Sequence, residues 1–390
     1  MPTKRTSIHG EWSSRLAFIL AATGSAVGLG NIWRFPYIAG ENGGGAFVLI
    51  YLVCVAVIGV PIMMTEIMLG RRGRRSPINT MLTLAGEEGR SPRWHYVGWA
   101  GVVAGFLILS FYSVIGGWTL AYIFRVGAGV FTGATAEGVT SVFDRFVSDP
   151  EGLLAWHTVF LTMTMIITAR GVRSGLERAV RYLMPALFVL LVIMVGYAMN
   201  TAGFGQAFEF LFKPDLGKLK PQGVLAAMGQ AFFSLSLGMG AIMVYGSYLQ
   251  RHASIARTTI TIAAADTGVA ILAGLAIFPL VFASGLEPEA GSSLIFKTLP
   301  LAFGHMPGGR LFGTLFFVLL AFAAWTSAIS VIEPMVAWLV ENRGHSRVYA
   351  AVASGLGAWA LGIGTVLSFN LWEDRTLLGQ TFFGLLDYLT

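Results

Sequence analysis

The sequence predicts an all-α, polytopic membrane protein. Two observations carry that prediction. Of the 390 residues, 55% are hydrophobic and only 12% charged, whereas soluble domains carry about 25% charged residues. The apolar residues also fall in runs of about 20 or more, the length that crosses a hydrocarbon core of about 30 Å. The 49 glycines and 14 prolines sit partly inside those runs, a placement that lipid-embedded helices tolerate.

The runs cover 13–39, 43–69, 95–126, 153–169, 176–199, 222–249, 255–284, 310–340 and 347–368, and a tenth begins near 376. The first run lacks a small-residue cleavage site and is expected to be a span rather than a cleaved leader. Cys54 is the single cysteine and lies in an apolar run, which excludes an intramolecular disulfide. The net charge of +6 does not imply nucleic acid, because the basic residues cluster in short loops, where topology explains them.

Those loops set the expected orientation. One group holds Lys4, Arg5 and Arg15, then Arg71, Arg72, Arg74 and Arg75, then Arg170, Arg173, Arg178 and Arg181. Arg251, Arg257, Arg343 and Arg347 complete it. They alternate with loops holding Glu137, Asp144, Asp149 and Glu151, or Glu287 and Glu289. Excess Lys and Arg marks the cytoplasmic side, so the N-terminus is expected inside a cell membrane crossed many times. The connection 200–221 fits least well, because Lys213, Lys218 and Lys220 fall on the expected outside, mixed with Glu209 and Asp215.

Two spans do not read as plain helices. The first contains Gly24-Ser25-Ala26-Val27-Gly28-Leu29-Gly30-Asn31, and the sixth contains Ser234-Leu235-Ser236-Leu237-Gly238-Met239-Gly240. Each interior glycine costs roughly 1 kcal/mol of helix stability. Unwound backbone survives in a bilayer only where protein buries it or a cavity needs it. Close helix packing would also use small residues, but it does not explain Asn31 followed by Arg34. The first and sixth spans each open a group of five, the pattern of two inverted repeats with paired discontinuous helices at the midplane. Freed carbonyls can bind cations there, and helix N-termini can bind a carboxylate. The expected ligand is a small solute carrying a carboxylate, beside Na⁺ or H⁺.

At these residues the sequence strongly resembles the neurotransmitter:sodium symporter family, and within it the bacterial hydrophobic amino-acid transporters. The stretches Gly24 to Pro36, Glu41 to Phe47 and Phe232 to Gly240 carry the resemblance, which extends over essentially the whole chain. It implies the five-plus-five inverted-repeat symporter fold, Na⁺-coupled symport of small hydrophobic or aromatic L-amino acids by alternating access, and no enzymatic activity. The expected division is a cytoplasmic segment 1–12, a first repeat 13–199, an extracellular connection 200–221 and a second repeat 222–390. Relatives have eleven or twelve spans, so the second repeat is expected to be incomplete, ending early in the tenth helix at Asp387-Tyr388-Leu389-Thr390. That leaves a second expectation, a non-transporting amino-acid and Na⁺ binding or sensing protein.

The resemblance also implies two Na⁺ sites. One would use the Ala26 carbonyl, Asn31, Ser234, Asp266 and the substrate carboxylate. The other would use the carbonyls of Gly24, Val27 and Ala323 with the hydroxyls of Thr326 and Ser327. Ala323, Thr326 and Ser327 share one helix face at i, i+3, i+4, and all-oxygen ligands suit a hard cation. On spacing alone, hydroxyls bonding back to their own helix is the better reading of Thr326 and Ser327. The substrate carboxylate would meet the Leu29 and Gly30 amides and the Tyr112 hydroxyl. Its amine would meet the sixth span near Phe233, Ser234 and Ser236. Ile108, Phe233, Met239, Ser327 and Val331 would line the side-chain pocket. Ordinary apolar packing accounts equally well for Phe233 and Met239 on spacing.

Arg34 and Asp387 would form an outer gate above Phe233, although an interfacial arginine can snorkel to water instead. Arg5 and Trp12 would close the cytoplasmic path. Gly175 and Pro185 flank nine residues of the fifth span, in a pattern that in the family lets that helix unwind; a plain proline kink is the alternative. Asp266 would supply negative charge in an otherwise apolar span. Chloride-dependent relatives carry a neutral residue there. Tyr51, Gln230 and Ser234 match their anion site, but Ala270 replaces a serine of it. No Cl⁻ requirement is therefore expected. Zinc-type HExxH, Gly-x-Ser-x-Gly and dinucleotide-binding patterns are absent from the sequence. His9, His95, His157, His252, His305 and His345 are read as loop or interface residues. Apart from the bilayer and the amino acid, no obligatory protein partner and no nucleic acid is expected.

Overall fold

In the computed structural model, residues 5–215, 217, 221–285 and 294–390 are described. Lys4, Lys218, Lys220, Glu287 and Glu289 lie outside the described residues. The described chain is helical throughout apart from short connections. Among the described residues, seven helices are long and apolar enough to cross a membrane, and a bent pair counted as one span makes an eighth.

That pair is the first span. Ser14 caps its start by accepting from the Ala17 amide at 3.1 Å, a favoured role for a serine hydroxyl. The helix Arg15–Ala26 stops where Val27 turns extended, and the chain resumes as Gly30–Glu41 at an angle of 50°. The second to fifth spans are Gly45–Gly73, Pro92–Gly127, Pro150–Ala169 and Val172–Ala198. The sixth is broken as well, into Pro221–Ser234 and Ala241–Ser247. Between its halves Ser236, Gly238 and Gly240 have φ of 54°, 82° and 75°. That left-handed backbone costs glycine little and serine more. Ile255–Ala283, Gly309–Arg343 and Arg347–Leu367 are the seventh to ninth spans, and Phe382–Leu389 is the last helix.

The third and eighth spans form the centre, 72% and 78% buried, and pack on one another. The fourth and fifth, 33% and 28% buried, present apolar surface outward, as lipid-facing helices do. Small residues allow the close approaches on which helix association in lipid depends. A Cβ at Gly117 of the third span would lie 2.8–2.9 Å from the backbone of Trp156 and His157 on the fourth.

Contacts join the basic loops at one end of the bundle. Arg71 donates to the Ala253 carbonyl at 2.6 Å, Arg74 pairs with Glu11 at 3.0 Å, and Arg173 reaches the Glu11 carbonyl at 3.0 Å. Arg347 reaches the Thr168 carbonyl at 2.9 Å.

Short helices also lie between the spans, and one histidine departs from its expected place. The connection 200–221 contains a helix, Phe204–Phe212, and three more helices lie in loops: Pro77–Glu87, Ala136–Val147 and Thr298–His305. His157 is not a loop or interface residue. It is fully buried, with Nδ1 3.1 Å from Ser113 Oγ and Nε2 3.3 Å from the Trp359 carbonyl. These two partners explain how a polar ring is accommodated at that depth.

Candidate functional site

The two helix breaks meet. Asn31 sits one residue into the second half of the first span and is fully buried. Its Nδ2 donates to Asp266 Oδ1 at 2.8 Å, to the Asp266 carbonyl at 3.1 Å and to Ser234 Oγ at 3.1 Å. Ser234, the last residue before the sixth span breaks, donates to Asp266 Oδ2 at 2.5 Å. Tyr51 OH lies 3.1 Å from Ser234 Oγ, and Gln230 donates to the Gly30 carbonyl at 2.8 Å. Asp266 itself is 0% exposed on the seventh span. A buried carboxylate needs compensating partners, and hydroxyl and amide groups from three spans supply them. A half-turn of the Asn31 carboxamide would exchange its donor end for the oxygen a cation needs.

A second cluster lies on the eighth span. Ser327 Oγ bonds to the Val27 and Ser25 carbonyls, both at 3.2 Å, where the first span unwinds. Thr326 bonds back to the Phe322 and Ala323 carbonyls at 3.0 and 3.1 Å, the self-satisfied arrangement that spacing favoured. Gly24 faces Thr326, whose Cβ would lie 3.4 Å from a Cβ placed there. Gly24, Val27, Ala323, Thr326 and Ser327 are thus one locality rich in oxygen. Among the described residues, no three or more His, Cys, Asp or Glu side chains gather as a metal site. A cation here would rest on carbonyls, hydroxyls and at most one carboxylate, a set that suits a hard monovalent or alkaline-earth ion rather than a transition metal.

Between the clusters lies a small cavity of about 20 Å³, lined by Ala26, Gly28, Gly30, Ile108, Tyr112, Phe233, Ser236, Met239, Ser327 and Val331. Tyr112 OH accepts from the Leu29 amide at 3.1 Å, and Ser236 Oγ donates to the Ser25 carbonyl at 2.8 Å. Glycine is required at the wall. A Cβ on Gly28 would press on Ser327 Oγ and lie 2.9 Å from Tyr112 OH, and one on Gly30 would lie 2.8 Å from the Phe233 ring.

A larger cavity of 350 Å³ adjoins the small one. Tyr112 and Phe233 border both. Arg34, Asp387, Glu41, Trp33 and Phe111 line the larger space, with the Arg34 guanidinium 4.6 Å above the Phe233 ring. Arg34 therefore lines this cavity.

At the N-terminal end the chain is packed shut. Trp12 is fully buried against Tyr245 and Tyr248, and its Nε1 donates to the Tyr245 carbonyl at 3.1 Å. Tyr248 OH donates to Glu333 at 2.7 Å, and Arg347 pairs with the same carboxylate at 2.5 Å. Arg5 pairs with Glu87 and lends its carbonyl to Arg251. From the N-terminal segment His9 also reaches the eighth span, with its Nε2 3.1 Å from Glu341. The fifth span opens in a π-helical turn, Val172–Glu177, holding Gly175, and Pro185 lies inside the following helix. Glu177 accepts from the Ser13 amide at 3.0 Å and from the Ser13 hydroxyl, tying that turn to the N-terminal segment.

Sequence reasoning did not single out Glu66, Glu177, Glu333 or Glu341. Glu66 is a buried carboxylate on the second span that accepts from the Gly238 amide at 2.7 Å, inside the sixth-span break. The available signal was a charged residue within or at the end of an apolar run, expensive at that depth unless paired.

The model of the sodium:neurotransmitter symporter family matches residues 9–132 and 146–366. The sodium-dependent transporter YhdH of Bacillus subtilis is 40% identical over 378 residues, which cover 97% of this chain and 83% of the relative. A sodium-dependent transporter of Haemophilus influenzae is 36% identical over 384 residues, covering 97% and 84%. Among solved structures, that of MhsT in complex with L-phenylalanine matches with a TM-score of 0.90 at 44% identity, covering 97% of this chain and 86% of the other.

Proposed function

We propose, from the premise that this chain belongs to the sodium:neurotransmitter symporter family, that it imports small hydrophobic or aromatic L-amino acids together with Na⁺ and without Cl⁻. Members of this family are sodium-coupled membrane transporters, not enzymes. The observation that carries the reading is the cavity at the meeting of the two breaks, lined by the side chains of Ile108, Phe233, Met239 and Val331 together with the glycines of the first span. The L-phenylalanine held by MhsT supports the same substrate class.

In this reading the Leu29 and Gly30 amides and Tyr112 OH receive the substrate carboxylate. The sixth-span backbone near Phe233, Ser234 and Ser236 receives the amine. The first Na⁺ would sit among the Ala26 carbonyl, Asn31, Ser234, Asp266 and that carboxylate, so substrate and ion bind as a unit. The second would sit among Gly24, Val27, Ala323, Thr326 and Ser327, bridging the eighth span to the first. Each ion favours the arrangement that brings its ligands together, and a ligand shifts an equilibrium only by such differential affinity. The Asp266 carboxylate, bonded to Ser234 beside Tyr51, provides the negative charge that an external anion would otherwise bring. Arg34 and Asp387 close the larger cavity, and the Trp12 layer closes the other end. The N-terminus is placed in the cytoplasm of a cell-membrane protein, with repeats 13–199 and 222–390 joined by 200–221.

The test is thermal stability of the purified chain with leucine, phenylalanine, tryptophan or glycine, in Na⁺ against K⁺ at equal ionic strength. A ligand that binds only the folded state raises stability by mass action. Stabilisation by an apolar amino acid in Na⁺ alone is the expected result. Equal stabilisation in K⁺, or none by any of the four, contradicts the reading.

A further inference from the structure

The fourth span buries a histidine whose two ring nitrogens face two other spans. His157 Nδ1 lies 3.1 Å from Ser113 Oγ on the third span, and Nε2 lies 3.3 Å from the Trp359 carbonyl on the ninth. The next residue repeats the tie to the ninth span, since Trp359 Nε1 donates to Thr158 Oγ1 at 2.8 Å. The space is cut to fit the ring. A Cβ on Gly362 of the ninth span would lie 2.5 Å from its Cε1 and Nε2. Neither partner needs the histidine. The Ser113 hydroxyl also reaches the Leu109 carbonyl of its own helix at 2.7 Å, and Trp359 lies inside the helix Arg347–Leu367. Burying a polar ring is costly, so packing alone does not explain a histidine there. The placement of hydrogens does. Both contacts are to neutral groups, and a charge buried without a partner is costlier still, so the ring is neutral. A carbonyl only accepts, so Nε2 carries the hydrogen and Nδ1 is left to accept. Its donor is the Ser113 hydroxyl, which thereby turns from its own helix toward the fourth span.

We propose that His157 is a positioning residue for the amino-acid site: through Ser113 it sets the rotation of the third span, and with it the place of the Tyr112 hydroxyl and the Ile108 side chain. The inference rests on the proposed function, in which those two groups meet the substrate. Ser113 directly follows Tyr112, and Ile108 lies one turn before Tyr112 on the same face. Tyr112 and Ile108 both line the small cavity. Tyr112 OH also accepts from the Leu29 amide at 3.1 Å, so a turn of the third span would disturb the unwound part of the first as well. Groups that touch a ligand keep their geometry only when a further layer of hydrogen bonds and packing locks them. His157 supplies that layer from outside the cavity, which it does not line.

The experiment separates the two nitrogens. Asparagine carries a polar atom near the place of Nδ1, and glutamine carries one near the place of Nε2. His157→Asn therefore keeps the Ser113 contact, His157→Gln keeps the Trp359 contact, and His157→Phe keeps neither. Ser113→Ala breaks the same contact with the histidine left in place, which covers a His157 variant that fails to fold. Tyr112 is replaced by a ring-fluorinated tyrosine, and its fluorine resonance is recorded with no amino acid present. Wild type and His157→Asn are expected to share one position, and His157→Phe, His157→Gln and Ser113→Ala to be displaced from it. On unlabelled chains, amino-acid binding in Na⁺ is expected to weaken about three- to ten-fold in the same displaced variants, the size of one hydrogen bond. Ser113→Ala with His157→Phe is expected to be no weaker than either alone, because both remove one contact. Thermal stability is expected to fall in every His157 variant, so under a merely structural role affinity would follow stability instead of the Ser113 contact. A resonance unmoved in all variants, or binding that weakens equally in His157→Asn and His157→Phe, overturns the inference. A resonance that moves as expected in a chain that binds no amino acid upholds the positioning and sinks the transport reading, so the two are judged separately.

Discussion

Asn31 Nδ2 lies 2.8 Å from Asp266 Oδ1, 235 positions further along the sequence. This contact joins the start of the first span's second half to the seventh and places the buried carboxylate beside the break in the sixth. It also makes Asp266 the residue most exposed to a direct test. Asp266→Asn is expected to reduce Na⁺-driven uptake by about ten-fold or more, the scale set by losing charge-assisted hydrogen bonds, and to make the remainder Cl⁻-sensitive. Uptake in chloride and in gluconate medium measures both effects. An unaltered, Cl⁻-indifferent variant contradicts the assigned charge role.

Ser327 offers a narrower test. Its hydroxyl bonds to the Val27 carbonyl at 3.2 Å, at the proposed second cation position. Ser327→Ala is expected to raise the Na⁺ concentration for half-maximal binding roughly three- to ten-fold, about 0.5–1.5 kcal/mol for one polar interaction. A Na⁺ titration of ligand binding reads it. Unchanged Na⁺ dependence argues that the hydroxyl serves only the helix contact.

Gly28 tests the geometry of the break without removing a polar group. A methyl there meets Ser327 Oγ and Tyr112 OH, and overpacking costs about 1–3 kcal/mol. Gly28→Ala is expected to weaken amino-acid binding by about ten-fold or more, as measured by isothermal titration in Na⁺.

Met239 tests substrate choice. It lines the cavity with Phe233 and Val331, and a thioether adapts its shape to different ligands. Met239→Phe replaces that flexibility with a rigid ring. Tryptophan affinity is expected to fall about ten-fold relative to leucine, at the cost of overfilling a packed site. Competition of both amino acids for one labelled ligand gives the ratio.

The parts of this site legible in sequence share a cause: they are local. The Gly24–Gly30 and Ser234–Gly240 clusters announce broken helices because glycine and serine at membrane depth contradict a plain span. Ala323, Thr326 and Ser327 announce one face by their spacing. Asp266 stands out as a charge among apolar neighbours. What sequence left open is pairing across the bundle. His9 and Glu341 are 332 positions apart, and nothing near either predicts the other. The same holds for Tyr248 with Glu333, and for Glu66 with the Gly238 amide. The short loop helices were missed because they are too short to produce a span-length apolar run. The buried His157 was missed because its partners, Ser113 and the Trp359 carbonyl, lie on other spans.

The central claim is that Na⁺ drives an apolar amino acid through this chain. The most direct measurement is uptake of labelled leucine or phenylalanine into proteoliposomes holding the 390-residue chain, with Na⁺ outside and K⁺ inside. The account predicts accumulation that disappears when external Na⁺ is replaced by K⁺ and persists when Cl⁻ is replaced by gluconate. Uptake that ignores the Na⁺ gradient, or Na⁺-dependent binding with no accumulation or counterflow, would contradict it.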